Sequence, residues 1–181
     1  MNVPPLDLRA QYETIRDEVR EAIDRVCDSQ HFILGPEVTA LEQEVGSFCG
    51  VRQAIGLSSG TDPLLAALMA IGVGSGDEVV TTSYSFFATA GVIARLGAHP
   101  VFVDIEANTF NLNIKAVASR ITSRTKAIVP VHLFGRSVEM GRLMAIAAEH
   151  RIAVIEDAAQ AIGSVDSNRQ RAGTAGLIGC Y

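Results

Sequence analysis

Leu6, Leu8, Tyr12, Ile15, Val19, Ile23 and Val26 recur at three- and four-residue steps, with Arg, Glu and Asp between them. That spacing predicts one amphipathic helix over the first thirty residues. Pro4 and Pro5 mark its start, and Gly35-Pro36 closes the segment that follows it. A second amphipathic helix is expected from about Pro36 to Phe48, through Val38, Leu41 and Val45, stopping at Gly50. From Ala54 the pattern changes. AIGL precedes DPLLAALMAIG, EVVTT precedes FFATAGVIARLG, PVFVD precedes LNIKAVASRI, KAIVPV precedes SVEMGRLMAIAAEH, and IAVIED closes the series. Five strand-like runs rich in Val and Ile, separated by helical stretches, mark repeated strand–helix–strand units. Right-handed crossovers then place helices on both faces of a mostly parallel sheet, an α/β fold. Beyond Ile162 the chain turns Gly- and polar-rich, and Ile178 to Tyr181 reads as the beginning of a further strand. The sheet is therefore expected to be incomplete at its C-terminal end. The division expected is a helical segment over residues 1–50 and a truncated large domain over 51–181.

Composition narrows the class without naming a chemistry. At about 150 residues per domain, 181 residues make one domain or part of a larger one. Apolar residues are 48% and charged residues 19%, close to globular averages, which argues against disorder. A net charge of −5 provides no basic footprint for nucleic acid or an anionic membrane. No apolar run reaches the roughly 20 residues of a membrane helix. The N-terminus lacks the basic start and apolar centre of a secretory signal. Cys27, Cys49 and Cys180 are odd in number and far apart, which indicates neither a disulfide framework nor a zinc ribbon. A reduced, cytoplasmic protein is the expectation.

In parallel α/β sheets ligands bind beyond the carboxyl ends of the strands, so chemistry is sought there. After the first strand-like run comes Ser58-Ser59-Gly60-Thr61-Asp62-Pro63, opening a helix. Small residues let backbone N–H groups approach an anion, and the helix N-terminus adds positive dipole. The alternative is a plain N-cap, with Thr61 or Asp62 capping the helix. Gly72-Val73-Gly74-Ser75-Gly76 follows a helix and precedes a strand, the wrong order for a dinucleotide loop, and reads as a helix-ending turn. Phe86 and Phe87 stand after EVVTT. Either can cover a flat ring. Phe87 equally suits packing the helix onto the sheet, and the same alternative stays open for Phe86. Asp104 and Glu106 lack a nearby third ligand and read as surface caps, so no metal is expected. His132 reads as a hydrogen-bonded structural residue. Asp157 ends the last apolar run, where a carboxylate is costly to bury unless a cation meets it. A protonated heterocycle nitrogen suits it, with Gln160 placed to reach a neighbouring ring oxygen; a salt-bridged or capping Asp is the alternative. Together, a phosphate cradle, a ring stacker and a carboxylate describe a phosphorylated pyridinium cofactor, which pyridoxal 5'-phosphate fits.

The stretches HFILGPEVTALEQEV, LSSGTDPLLAAL, GDEVVTTSYSFFATA, GAHPVFVDI, TKAIVPVHLFG and VIEDAAQAIGS resemble the DegT/DnrJ/EryC1/StrS sugar aminotransferases, a branch of the fold-type I pyridoxal phosphate enzymes. They follow in family order over nearly the whole chain. Pro63 stands where the family usually has Ala, and Leu177 where it often has Asp. The resemblance implies an aspartate aminotransferase-like large domain. It implies that Gly60, Thr61 and the Asp62 backbone hold the cofactor phosphate, that Phe86 stacks on the ring, that Asp157 pairs with the ring nitrogen and that Gln160 lies near the ring hydroxyl. It also implies a homodimer and amino transfer, usually from glutamate, to a nucleotide-linked keto-sugar, as in polysaccharide or deoxysugar biosynthesis. The family's Schiff-base lysine comes a few residues after the GCY-like strand, and this sequence ends at Tyr181. Lys115 and Lys126 match no such position. The expectation is therefore the front half of an aminotransferase, without its C-terminal small domain, inactive alone and exposing an unpaired sheet edge. A catalytically silent regulatory paralogue is the alternative. A nucleotide-dependent α/β enzyme is disfavoured, because no glycine fingerprint follows the first strand.

Overall fold

The computed structural model describes residues 7–181. Pro4, Pro5 and Leu6, expected to open the first helix, lie outside the described residues. Helix α1 runs Leu8–Ser29, with the Asp7 carboxylate accepting the Ala10 N–H at 3.1 Å as its cap. Gly35 caps α2 (Pro36–Cys49), Pro36 occupies its first turn, and Gly50 ends it in the left-handed conformation at φ 70°. The expected boundaries hold because Pro costs nothing where the N–H has no partner and Gly accepts positive φ. Nothing in α1 is buried among the described residues, and Leu8, Tyr12, Ile15 and Ile23 of its apolar stripe are exposed.

The remainder forms a sheet of strands β1 (Glu78–Thr82), β2 (His99–Val103), β3 (Thr125–Ile128), β4 (Ala153–Asp157) and β5 (Ile178–Cys180). Their spatial order is β2-β1-β3-β4-β5 and every pairing is parallel. Helices α3 (Thr61–Ala70), α4 (Phe87–Arg95), α5 (Ile114–Val117) and α6 (Met140–His150) connect or flank them. Successive strand residues serve opposite faces. Val79, Ala127 and Ile155 pack with Leu64 and Leu68 of α3 and Ile93 of α4. Their neighbours Val80, Ile128 and Val154 pack with Ile114 and Val117 of α5 and Leu143 and Ala147 of α6. Both faces are thus covered, as expected of buried parallel strands. From β1 the chain steps outward to β2, then returns past β1 to β3, so direction reverses between β1 and β3. The carboxyl ends there leave a crevice.

Three elements differ from the sequence reading. AIGL (54–57) is not a strand: it pairs with no ladder among the described residues, Ile55 is exposed, and the Gly56 N–H donates instead to Glu42 at 2.7 Å. An apolar run supplies side chains for a strand but cannot supply its hydrogen-bonding neighbour. LNIKAVASRI condenses to the single-turn α5 and a 3-10 turn at Ala118–Arg120. Helix α6 begins at Met140, because Ser137 to Glu139 stay outside it.

Both cores should respond to truncation. Leu68→Ala on one face and Leu143→Ala on the other each remove a side chain with no exposure and should cost about 2–5 kcal/mol in urea unfolding. Met69→Ala, on the 59% exposed side of α3, should stay within about 0.5 kcal/mol.

Candidate functional site

Gly60, Thr61, Ser85, Phe86, His132, Asp157 and Gln160 line one open cleft of about 210 Å³ at the carboxyl ends of β1, β3 and β4. That volume lies below the roughly 300–1,000 Å³ of drug-sized pockets, so the cleft suits a single ring-sized group. Asp62, expected beside Gly60 and Thr61, does not line it.

The sequence SSGTDP builds the first wall. Gly60 precedes α3, and the helix has no side-chain cap, so neither Thr61 nor Asp62 plays the capping role. The Asp62 carboxylate instead accepts the Ser58 hydroxyl, and the Asp62 N–H donates to the Ser59 carbonyl at 3.2 Å. The N–H groups of Gly60 and Thr61 and the Thr61 hydroxyl have no hydrogen-bond partner among the described residues. Free donors at the start of a helix form a ready anion site.

The second wall follows β1. Phe86 stands immediately before α4 in an extended conformation (φ −66°, ψ 149°), which holds its ring outside the helix, 72% exposed. Phe87 does not pack α4 onto the sheet. It is 79% exposed, with its ring over Gly91, where a Cβ would come within 2.7 Å of Phe87 Cε1. Within the first turn of the helix, Thr89 is buried and its hydroxyl donates to Asp157 Oδ2 at 2.7 Å. Ser85 Oγ lies 2.9 Å from Thr89 Oγ1.

The third wall is the end of β4. Asp157 is 6% exposed and locked by its backbone: its N–H donates to Pro130 and its carbonyl accepts the His132 N–H, each at 2.9 Å. Besides Thr89, its side chain accepts, among the described residues, only the Ala159 N–H, at 3.4 Å. No cationic side chain among the described residues pairs with it, so the salt-bridged alternative is not met. A buried carboxylate facing a cleft without a cation is an acceptor suited to a cationic N–H of a ligand. Gln160 Oε1 accepts the Phe134 N–H at 2.9 Å, and the Gln160 amide NH2 has no partner among the described residues.

The preceding residue, Glu156, went unremarked in the sequence although it is wholly buried. It accepts His132 Nε2 at 2.8 Å and the N–H groups of Gly173, Ala175 and Gly176 at 2.8, 2.7 and 2.6 Å. His132 Nδ1 accepts the Val138 N–H at 3.0 Å, so the ring is neutral with its proton on Nε2. His132 is thus the hydrogen-bonded structural residue expected, and it also lines the cleft. Burial opposes the Glu156 charge, but the His132, Gly176 and Gly173 donors outweigh it and hold the carboxyl below its ordinary range.

Other candidates fall away from the cleft. Asp104 and Glu106 accept local bonds from the Ile105 N–H and the Thr109 hydroxyl. Gly72 and Gly76 adopt positive φ, closing α3 and turning into β1, the helix-ending turn expected of that run. Cys180 pairs in register with Asp157, yet burial and the neighbouring carboxylates push its thiol up to about 12, so it is no thiolate nucleophile. Lys115 lies exposed in α5, and Lys126 near the amino end of β3; neither lines the cleft.

Residues 13–181 match the model of the DegT/DnrJ/EryC1/StrS aminotransferase family. A Geobacillus stearothermophilus relative named pleiotropic regulatory protein is 51% identical, over 91% of this chain and 44% of its own length. The UDP-N-acetyl-3-dehydro-alpha-D-glucosamine 3-aminotransferase of Acidithiobacillus ferrooxidans is 45% identical, over 99% of this chain and 48% of its own. Among solved structures, DesV of S. venezuelae superposes with a TM-score of 0.91 at 41% identity, covering 94% of this chain and 46% of that one. A Streptococcus pneumoniae sugar aminotransferase in its PLP form gives 0.79 at 30%, covering 85% and 44%. The chain spans a little under half the length of these relatives.

Glu156 makes the stability of this rim pH-dependent. Its folded carboxyl titrates below its unfolded value of about 4.3, so its contribution is complete above that pH and is lost as pH falls through the folded value. Glu156→Gln should lose roughly 1–3 kcal/mol at pH 7, because an amide leaves at least one of the buried N–H donors around it without an acceptor, and should flatten the acid limb of stability below about pH 4.3. Denaturant unfolding across that range measures both.

Proposed function

The chain belongs to the DegT/DnrJ/EryC1/StrS aminotransferase family, and from that we propose that it is the front half of a pyridoxal phosphate-dependent sugar aminotransferase. The reaction moves an amino group from an amino acid, glutamate, to a keto-sugar carried on a nucleotide. The observation that carries this reading is the single cleft joining free N–H donors, an exposed aromatic ring and a buried carboxylate without a cation. Those three features match the anionic tail, flat face and basic nitrogen of pyridoxal phosphate.

In this reading Gly60 and Thr61 bind the phosphate through their N–H groups and the Thr61 hydroxyl. The Asp62 N–H is the third backbone donor assigned to it. Phe86 covers one face of the ring and excludes water from it. Asp157 holds a proton on the ring nitrogen, and the free Gln160 amide donates to the ring oxygen. When bound, the cofactor supplies an electron sink for charge developing at the carbon that loses its proton. Since neither lysine of this chain lines the cleft, the lysine that moves that proton is assigned to residues after Tyr181, together with a small domain. The exposed stripe of α1 supports a homodimer in the longer protein. A second reading, a silent regulatory paralogue, is supported by the name of the relative at 51% identity. A lysine shortly after Tyr181 separates the first reading from the second.

Asp157→Ala in the full-length protein should lower the amino-transfer rate at least about hundredfold, the scale on which removing a preorganised charge acts. A near-normal rate in a coupled glutamate assay overturns the ring-nitrogen role. Residues 1–181 alone should give no measurable amino transfer from glutamate; turnover by that purified chain overturns the assignment of the lysine.

A further inference from the structure

Among the described residues two donors reach the Asp157 side chain, Thr89 Oγ1 at 2.7 Å and the Ala159 N–H at 3.4 Å. The second is long, so the hydroxyl is the strong bond. A threonine has one hydroxyl proton and a carboxylate only accepts. The proton of Thr89 therefore goes to Asp157, not to the Phe86 carbonyl 3.4 Å away. Ser85 Oγ, 2.9 Å from Thr89 Oγ1, must then donate to it. The order Ser85 to Thr89 to Asp157 is fixed, and each donor polarises the next. Thr89 is 1% exposed, and its β-branched side chain is stiff at χ1, so packing holds the hydroxyl in place. Helix α4 draws no side-chain cap from it. Phe86 stands three residues before Thr89, immediately ahead of the same turn, so the ring and the hydroxyl enter the cleft from one helix start.

We propose that Thr89, backed by Ser85, is a positioning residue of the cofactor site: its hydroxyl aims the Asp157 carboxylate at the ring nitrogen and keeps a proton there. The proposal rests on the pyridoxal phosphate reading above and adds to it the residues that act through Asp157.

The test uses the full-length protein and pyridoxal phosphate labelled with 15N in its ring. Wild type should bind it and give the signal of a protonated ring nitrogen at neutral pH. Thr89→Val keeps the shape and removes the hydroxyl. It should weaken binding by roughly tenfold or more, the worth of one hydrogen bond to a charge, and move the 15N signal toward the unprotonated position. Thr89→Ser should restore both. Wild-type affinity and an unchanged 15N signal in Thr89→Val overturn the proposal, as does a loss that Thr89→Ser fails to restore. If Thr89→Val does not fold, Ser85→Ala decides: binding weaker by a few-fold supports the chain of hydroxyls, and unchanged binding overturns it. A wild type that takes up no pyridoxal phosphate overturns the functional reading and this inference with it, whereas the variants overturn the inference alone.

Discussion

Strand β4 ends in two adjacent carboxylates that burial would expel unless each is met, and the rim of the molecule is built around how they are met. Adjacent strand residues point to opposite faces. Glu156 is met completely by the chain itself, with His132 and three backbone N–H groups around it. Asp157 is met incompletely, by one hydroxyl and one long N–H contact. A satisfied charge becomes a structural anchor. An unsatisfied one facing a cleft becomes a place for a ligand cation, because the desolvation of the carboxylate is then offset only on binding.

The anchor shapes the cleft as well as the core. Glu156 ties residues 173–176 to the end of the sheet and fixes the His132 ring. Just after His132, Phe134 and Gly135 adopt positive φ, and that turn brings the Phe134 N–H to Gln160 Oε1. The free amide end of Gln160 is thereby oriented by a network that begins on the opposite face of β4. Residues that touch the ligand space and residues that only hold them are separated by one step of the strand.

The rest of the wall comes from helix starts. α3 and α4 both begin without side-chain caps, and both begin at the cleft. At α3 the uncapped start leaves donors free for an anion. At α4 it lets Phe86 stay extended and exposed while Thr89 turns inward. Missing caps cost stability, and at both places the lost contact coincides with a surface suited to bind. The apolar stripe of α1 and the exposed Phe32, Ile33 and Leu34 beyond it are a separate matter, a surface that the described residues leave uncovered.

The amino-acid sequence by itself determined the layered α/β class, the ends of α2, and that Gly60, Thr61, Phe86, Asp157 and Gln160 stand at the rim where one cleft opens. Each of these follows from local physics: the period of apolar positions, Gly at positive φ, small residues before a helix, a charge closing an apolar strand. Only the tertiary structure decided the rest. Whether AIGL is a strand depends on a neighbour for its backbone groups, which its own residues cannot announce. Phe87 is exposed with its ring lying along α4 over Gly91, one helical turn later, a placement that its own position in the chain does not announce. Thr89 and Asp157 are 68 positions apart, and His132 and Glu156 are 24 apart, so no local pattern could pair them. Hydrogen bonds across such separations exist only once parallel strands have set the register, and that register is a property of the whole sheet.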